Sequence, residues 1–173
     1  IAAPGQRQYH RFSLPAGGRL IFDSWTGVNN LRWTLSGPDG TLIHQRSFDS
    51  SDSYEENPLL NLRPGGYLIE VLATGSSTNS YAFRLLDPGA ATPFTPGNLV
   101  TGSVAPGIST AMYRFEANAG DRFYFDGRPF TGFSTTPYFR ILSPSDQQVV
   151  SQVGLNTDVA TFAVGQAGTY LFL

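Results

Sequence analysis

The chain has 173 residues, no cysteine, and a net charge of −2 carried against eleven arginines and no lysine. Disulfides and thiolate metal sites are excluded, and there is no basic footprint for a nucleic acid. No apolar run approaches the ~18 residues that span a bilayer, so membrane insertion is not expected.

Apolar residues recur with period two and nowhere hold a period of 3.6, which predicts strands throughout. In the first half strands are expected near 8–14, 19–25, 30–36, 41–47, 58–62, 66–73 and 79–86. Their inward rows would be His10/Phe12/Leu14, Leu20/Phe22, Leu31/Trp33/Leu35, Tyr67/Ile69/Val71 and Tyr81/Phe83/Leu85. Turns are written between them as Pro15-Ala16-Gly17-Gly18, Pro38-Asp39-Gly40 and Pro64-Gly65-Gly66, where proline presets φ and glycine accepts positive φ. Residues 89–97, with Pro93 and Pro96 between Gly89 and Gly97, read as a stiff irregular linker. Beyond it, strands are expected near 111–117, 122–127, 137–143, 147–153, 159–164 and 168–173.

The two halves repeat. Tyr9 to Asp23 lies over Met112 to Asp126 without a gap, with Phe12 on Phe115, and seven positions are identical (Arg11, Phe12, Ala16, Gly17, Arg19, Phe22, Asp23). Trp33 to Gly40 lies over Arg140 to Asp146 with one deletion, and Pro64-Gly65-Gly66-Tyr67-Leu68 over Ala167-Gly168-Thr169-Tyr170-Leu171. Three matches in one order predict two tandem copies of a module, 1–88 and 98–173. About seven short strands per copy favour an all-β fold of two tandem jelly-roll or Ig-like antiparallel β-sandwich domains. Leu173 aligns with Glu70, so the second copy lacks a counterpart of the last strand, Ser80-Tyr81-Ala82-Phe83-Arg84-Leu85-Leu86. Such a sandwich exposes a sheet edge; either the parent polypeptide continues, or another chain donates the strand. The first residue, Ile1 rather than Met, likewise suggests a processed or excised piece of something longer.

The order Tyr-x-Phe, Ala-Gly, Phe-Asp, Leu-Ser-Gly-Pro-Asp-Gly, Pro-Gly-Gly-Tyr-Leu-Ile-Glu-Val and Ser-Tyr-Ala-Phe-Arg-Leu resembles the bacterial pre-peptidase C-terminal domain. The resemblance covers nearly all of copy one and most of copy two. It implies a jelly-roll-like sandwich in secreted or cell-surface bacterial proteins, often in tandem, non-catalytic, linked to secretion, adhesion or substrate binding, with calcium bound in some members. Gln6-Arg7-Gln8 and Ser109-Thr110-Ala111-Met112 stand where that family often carries acidic residues.

The residues themselves offer few sites. The two histidines, His10 and His44, have no histidine in the other copy, and there is no Gly-x-Ser-x-Gly elbow or histidine-rich metal motif. No enzyme is expected, and His10 reads as a core-edge residue. Asp23 and Asp126 recur at one repeat position, so each reads as a turn cap accepting backbone N–H bonds rather than half of a carboxylate pair. The loop holding Asp49, Asp52, Glu55 and Glu56 is the metal candidate, since calcium takes several carboxylate and carbonyl oxygens; a solvated loop is the plainer reading. Trp25, Phe130, Phe133 and Tyr138 are the aromatic candidates for a glycan or protein ligand, against a role in closing strand ends. The Arg128-Pro129-Phe130-Thr131-Gly132-Phe133 segment is the expected exposed patch. The expected function is a structural or adhesive module of a larger secreted or surface protein, in contact with its neighbouring domains. The alternative is a carbohydrate- or substrate-binding accessory domain.

Overall fold

A computed structural model describes residues 1–49, 52–54 and 58–173. Among the described residues strands dominate, with 3-10 turns at Asp52–Tyr54 and Pro88–Ala90. The chain divides into two compact units. Unit 1 holds Ile1–Asp87 with Ile108–Thr110; unit 2 holds Pro88–Gly107 with Ala111–Leu173.

Unit 1 contains β1 (Arg7–Leu14), β2 (Gly18–Ser24), β3 (Leu31–Gly37), β4 (Gly40–Ser47), β5 (Leu60–Leu62), β6 (Gly65–Ala73) and β7 (Phe83–Leu86). They form one sheet in the order β1-β6-β3-β4 and another in the order β5-β2-β7, all antiparallel. Alternation places Leu31, Trp33 and Leu35 of β3 and Tyr67, Ile69 and Val71 of β6 in one core with Phe22, Leu60 and Leu62 of the second sheet. This is a sandwich-like all-β architecture. Its centre is aromatic: Phe22 stacks on Trp33 at 4.0 Å, and Phe48 and Phe83 lie 5.2 and 4.9 Å from Phe22.

Unit 2 contains β8 (Thr92–Pro93), β9 (Tyr113–Ala117), β10 (Arg122–Phe125), β11 (Tyr138–Leu142), β12 (Gln148–Gly154), β13 (Val159–Ala163) and β14 (Gly168–Phe172). One sheet runs β12-β11-β14-β9-β8, and β10 pairs with β13. The order β9-β14-β11-β12 repeats β1-β6-β3-β4, with Leu14↔Gly65 answered by Ala117↔Gly168. Three contacts recur with it. Phe12 stacks on Tyr67 at 5.2 Å and Phe115 on Tyr170 at 5.4 Å. The Tyr67 hydroxyl donates to the Arg63 carbonyl at 2.7 Å and the Tyr170 hydroxyl to the Gln166 carbonyl at 2.8 Å. A Cβ added to Gly65 would meet Pro38, and one added to Gly168 would meet Pro144. Both glycines have positive φ, 148° and 132°, so this turn needs glycine on two counts.

Several expectations need correction. Residues 89–97 are not irregular throughout: β8 pairs with β9 in parallel, Thr92 opposite Tyr113. Pro93 is tolerated because β8 is the outermost strand of its sheet, where a missing N–H costs no inner ladder bond. Ile108–Thr110 belongs to unit 1, although it lies within the second sequence copy. The sequence match of Trp33 with Arg140 is one residue out of register. Leu35 pairs with Ile69 and Ile141 with Phe172, its repeat position, so Trp33 corresponds to Phe139. The identical Leu-Ser pairs (Leu35-Ser36, Leu142-Ser143) had forced a deletion that the backbone does not make. In the structural register Gly40 falls on Asp146, and both have positive φ (93° and 63°). Phe139 then does what Trp33 does, stacking on Phe125 at 4.0 Å.

Candidate functional site

The most concentrated polar chemistry lies in unit 1, around a carboxylate that alternation alone would not bury. Asp23 is fully buried on β2. Its Oδ2 accepts from Arg84 Nε of β7 at 2.7 Å and from Trp25 Nε1 at 3.1 Å, and its Oδ1 accepts from the Thr110 backbone N–H at 2.9 Å. Arg84 also donates to the Thr110 carbonyl at 2.9 Å, and its guanidinium lies 5.1 Å from the Trp25 ring centroid. The β2–β7 register makes this possible by setting Asp23 opposite Arg84. Burial of a carboxylate is tolerated when donors take both oxygens. Asp23 is thus not a local turn cap as expected: among the described residues one backbone N–H reaches it, from 87 residues away, and the other donors are side chains. It fastens Ile108–Thr110 to unit 1, assisted by Ser53, whose hydroxyl meets that of Thr110 at 2.6 Å.

Asp126, its repeat counterpart, is exposed and ion-paired with Arg128 two residues along. That correction has a simple cause. Unit 2, among the described residues, has no counterpart of β7 and therefore no Arg84 to lie opposite.

The aromatic candidates separate. Trp25 is 39% exposed and offers one ring face beside the Arg84 guanidinium. Tyr138, at the start of β11, is 54% exposed. Phe130 and Phe133 are half-buried and packed edge-to-face at 5.7 Å, so the expected exposed patch is partly closed on itself. His10 is exposed at the rim of its inward row, as a core-edge residue. Its ring lies edge-on to Tyr81 and Phe83, and Nε2 meets the Tyr81 hydroxyl at 2.7 Å. That hydroxyl donates to Gln8 Oε1 at 3.2 Å, and burial pushes the Tyr81 phenol above its ordinary 10.0. His44 is exposed on β4.

Asp49 is exposed. Glu55 and Glu56, and the side chain of Asp52, lie outside the described residues. Among the described residues no three His, Asp or Glu side chains gather as a metal would need.

Sequence reasoning did not find the Tyr124–Asp158 pair. The Tyr124 hydroxyl donates to Asp158 Oδ2, and Asp158 Oδ1 accepts from the Gly127 N–H at 2.8 Å. The hydrogen bond from Tyr124 holds the Asp158 carboxyl below its ordinary 3.8, with the Gly127 bond second, and the same bond pushes the Tyr124 phenol above 10.0. The signs follow. The bond contributes fully between these ordinary values; it is lost as pH falls through the lowered Asp158 value or rises through the raised Tyr124 value. Subtracting the phenolate absorbance titration of Tyr124→Phe from that of the parent should leave a component titrating above the ordinary tyrosine range. Asp158→Asn should bring that component down; an unchanged midpoint would show that the pair does not form.

No family model matches the chain, and no curated protein matches it.

Proposed function

We propose that the two units are tandem copies of one non-catalytic β-sandwich module, of the pre-peptidase C-terminal kind, serving as a structural or adhesive repeat in a larger secreted or cell-surface bacterial protein. One observation carries this reading: what recurs between the units is packing. Phe22/Trp33 answers Phe125/Phe139, Phe12/Tyr67 answers Phe115/Tyr170, and Pro38–Gly65 answers Pro144–Gly168. The polar clusters differ: among the described residues, Asp23–Arg84–Trp25 has no likeness in unit 2, and Tyr124–Asp158 none in unit 1. A shared reaction or ligand would require shared polar groups, because function resides in sites placed on a fold.

The second reading, a carbohydrate- or substrate-binding accessory domain with calcium as a stabilising ion, draws on the exposed rings of Trp25 and Tyr138, which have the area to stack on sugar faces. A glycan array probed with the intact chain, with and without calcium, separates the two. The structural reading expects no glycan to be retained above a charge-matched control protein. Retention that disappears in Trp25→Ala or Tyr138→Ala would overturn it in favour of the accessory domain. A melting temperature that rises on adding calcium would in turn assign the ion to that second reading.

A further inference from the structure

Thr110 is buried in unit 1 and meets two opposite charges at once. Its N–H donates to Asp23 Oδ1 at 2.9 Å, and its carbonyl accepts from the Arg84 guanidinium at 2.9 Å. A residue whose N–H and C=O are both taken by one neighbour is held as a strand residue is held by the next strand. Here a carboxylate and a guanidinium stand in for that strand, and charge-assisted bonds are roughly twice as strong as neutral ones.

The receiving groups are fixed by the two strands, not by the segment. The β2–β7 register sets Asp23 opposite Arg84, and Arg84 Nε and Trp25 Nε1 both bind Oδ2. Among the described residues this leaves Oδ1 to the Thr110 N–H. Without the segment, a fixed acceptor and a fixed donor would face the same space, and a buried carboxylate oxygen would lack its donor. Side chains are read as well. The Thr110 hydroxyl meets that of Ser53 at 2.6 Å. Ile108 lies against Gly27, where a Cβ would stand 3.7 Å from Ile108 Cδ1.

We infer that Asp23, Arg84 and Ser53 form a peptide-binding site for an aliphatic-x-Thr segment, and that Ile108-Ser109-Thr110 occupies it as the chain's own tethered ligand. The segment precedes β9, so the site recognises the stretch of chain leading into the second sequence copy rather than a diffusing small molecule. At the repeat-equivalent positions of copy one stand Gly5-Gln6-Arg7, which lack both the aliphatic residue and the threonine. Tethering lets a few contacts suffice, since a short linker supplies an effective concentration on the order of millimolar.

The site stands whether or not the glycan array supports the structural reading. The double variant Ile108→Ser/Thr110→Pro strips the tethered segment of its aliphatic side chain and of its N–H; far-ultraviolet circular dichroism checks its fold. A capped peptide of residues 107–112, Gly-Ile-Ser-Thr-Ala-Met, is then titrated in and followed through the indole N–H resonance of Trp25, which shares Asp23 with the ligand. Saturable binding to the double variant is expected. Putting proline for the peptide's threonine, or adding Arg84→Met to the protein, should each weaken binding by about tenfold or more, the loss of one charge-assisted hydrogen bond. Should the double variant not fold, the parent chain serves instead. There the free peptide at about ten millimolar, above the tether's effective concentration, should speed hydrogen exchange of the Thr110 amide severalfold, and the proline peptide should not. The assignment is overturned by absence of saturable binding to the folded double variant, by equal binding of the proline peptide, or by an unchanged Thr110 exchange rate in the parent. A concentration-dependent dimer that Thr110→Pro abolishes would also overturn it, in favour of a second copy as the source of the segment.

Discussion

Trp33→Ala is expected to destabilise unit 1 by about 3–5 kcal/mol, the range for truncating a large buried aromatic side chain. Domains of this size are stable by roughly 5–15 kcal/mol, so the loss would be a large part of the total. The ring is fully buried, stacks on Phe22 at 4.0 Å, and has the Arg46 guanidinium 5.6 Å from its centroid. The indole also brings a cost, since Nε1 is buried without a hydrogen-bond partner among the described residues. Trp33→Phe removes that unmet donor while keeping an aromatic face, so it should cost less than about 1.5 kcal/mol, the usual limit for a near-conservative core exchange. Phe139→Ala should do in unit 2 what Trp33→Ala does in unit 1. Urea unfolding followed by far-ultraviolet circular dichroism checks all three. If Trp33→Ala proved as mild as Trp33→Phe, the stack at Phe22 would not be the centre of the core.

That pair of residues also shows how far the sequence could be read. Strand positions and the repeat were legible because alternation and turn chemistry act locally: Pro38-Asp39-Gly40 marks the β3–β4 turn whatever lies around it, and Tyr67 and Tyr170 stand at one offset. The correspondence of Trp33 with Phe139 was not legible. Identity favoured Leu-Ser over Leu-Ser, whereas side-chain stacking chose the aromatic, and only the ladder register distinguishes a one-residue slip. Strand β8 was hidden by its proline, Pro93, which signals a breaker unless the strand is known to lie at an edge. The candidate site was legible in part. Asp23 was singled out as a repeated residue, but its partners Arg84 and Thr110 are 61 and 87 residues away, and no local pattern announces a contact of that separation. That β10 takes the place of β2, and β13 that of β5, required the pairing order of the sheets.

Arg84→Met should cost unit 1 about 2–3 kcal/mol, because it strips a charged donor from a buried carboxylate. A pair buried on both sides would lose more, roughly 3–5 kcal/mol, but the Arg84 side chain is 42% exposed, and water reaching that side replaces part of what is lost. The Trp25 and Thr110 donors remain, so Asp23 stays in place with one strong bond fewer. The repeat provides the internal control. Asp126–Arg128 is exposed at both ends, and Arg128→Met should change stability by less than about 0.5 kcal/mol, as exposed ion pairs do. Combining Arg84→Met with Asp23→Asn should recover part of the loss, since an amide needs no counter-charge, and the interaction energy from the double-mutant cycle measures the pair itself. Urea unfolding at low and high salt completes the test: a buried pair resists screening, so the Arg84→Met penalty should persist in high salt. If Arg84→Met and Arg128→Met cost the same, β7 would not be clamping β2 through this pair.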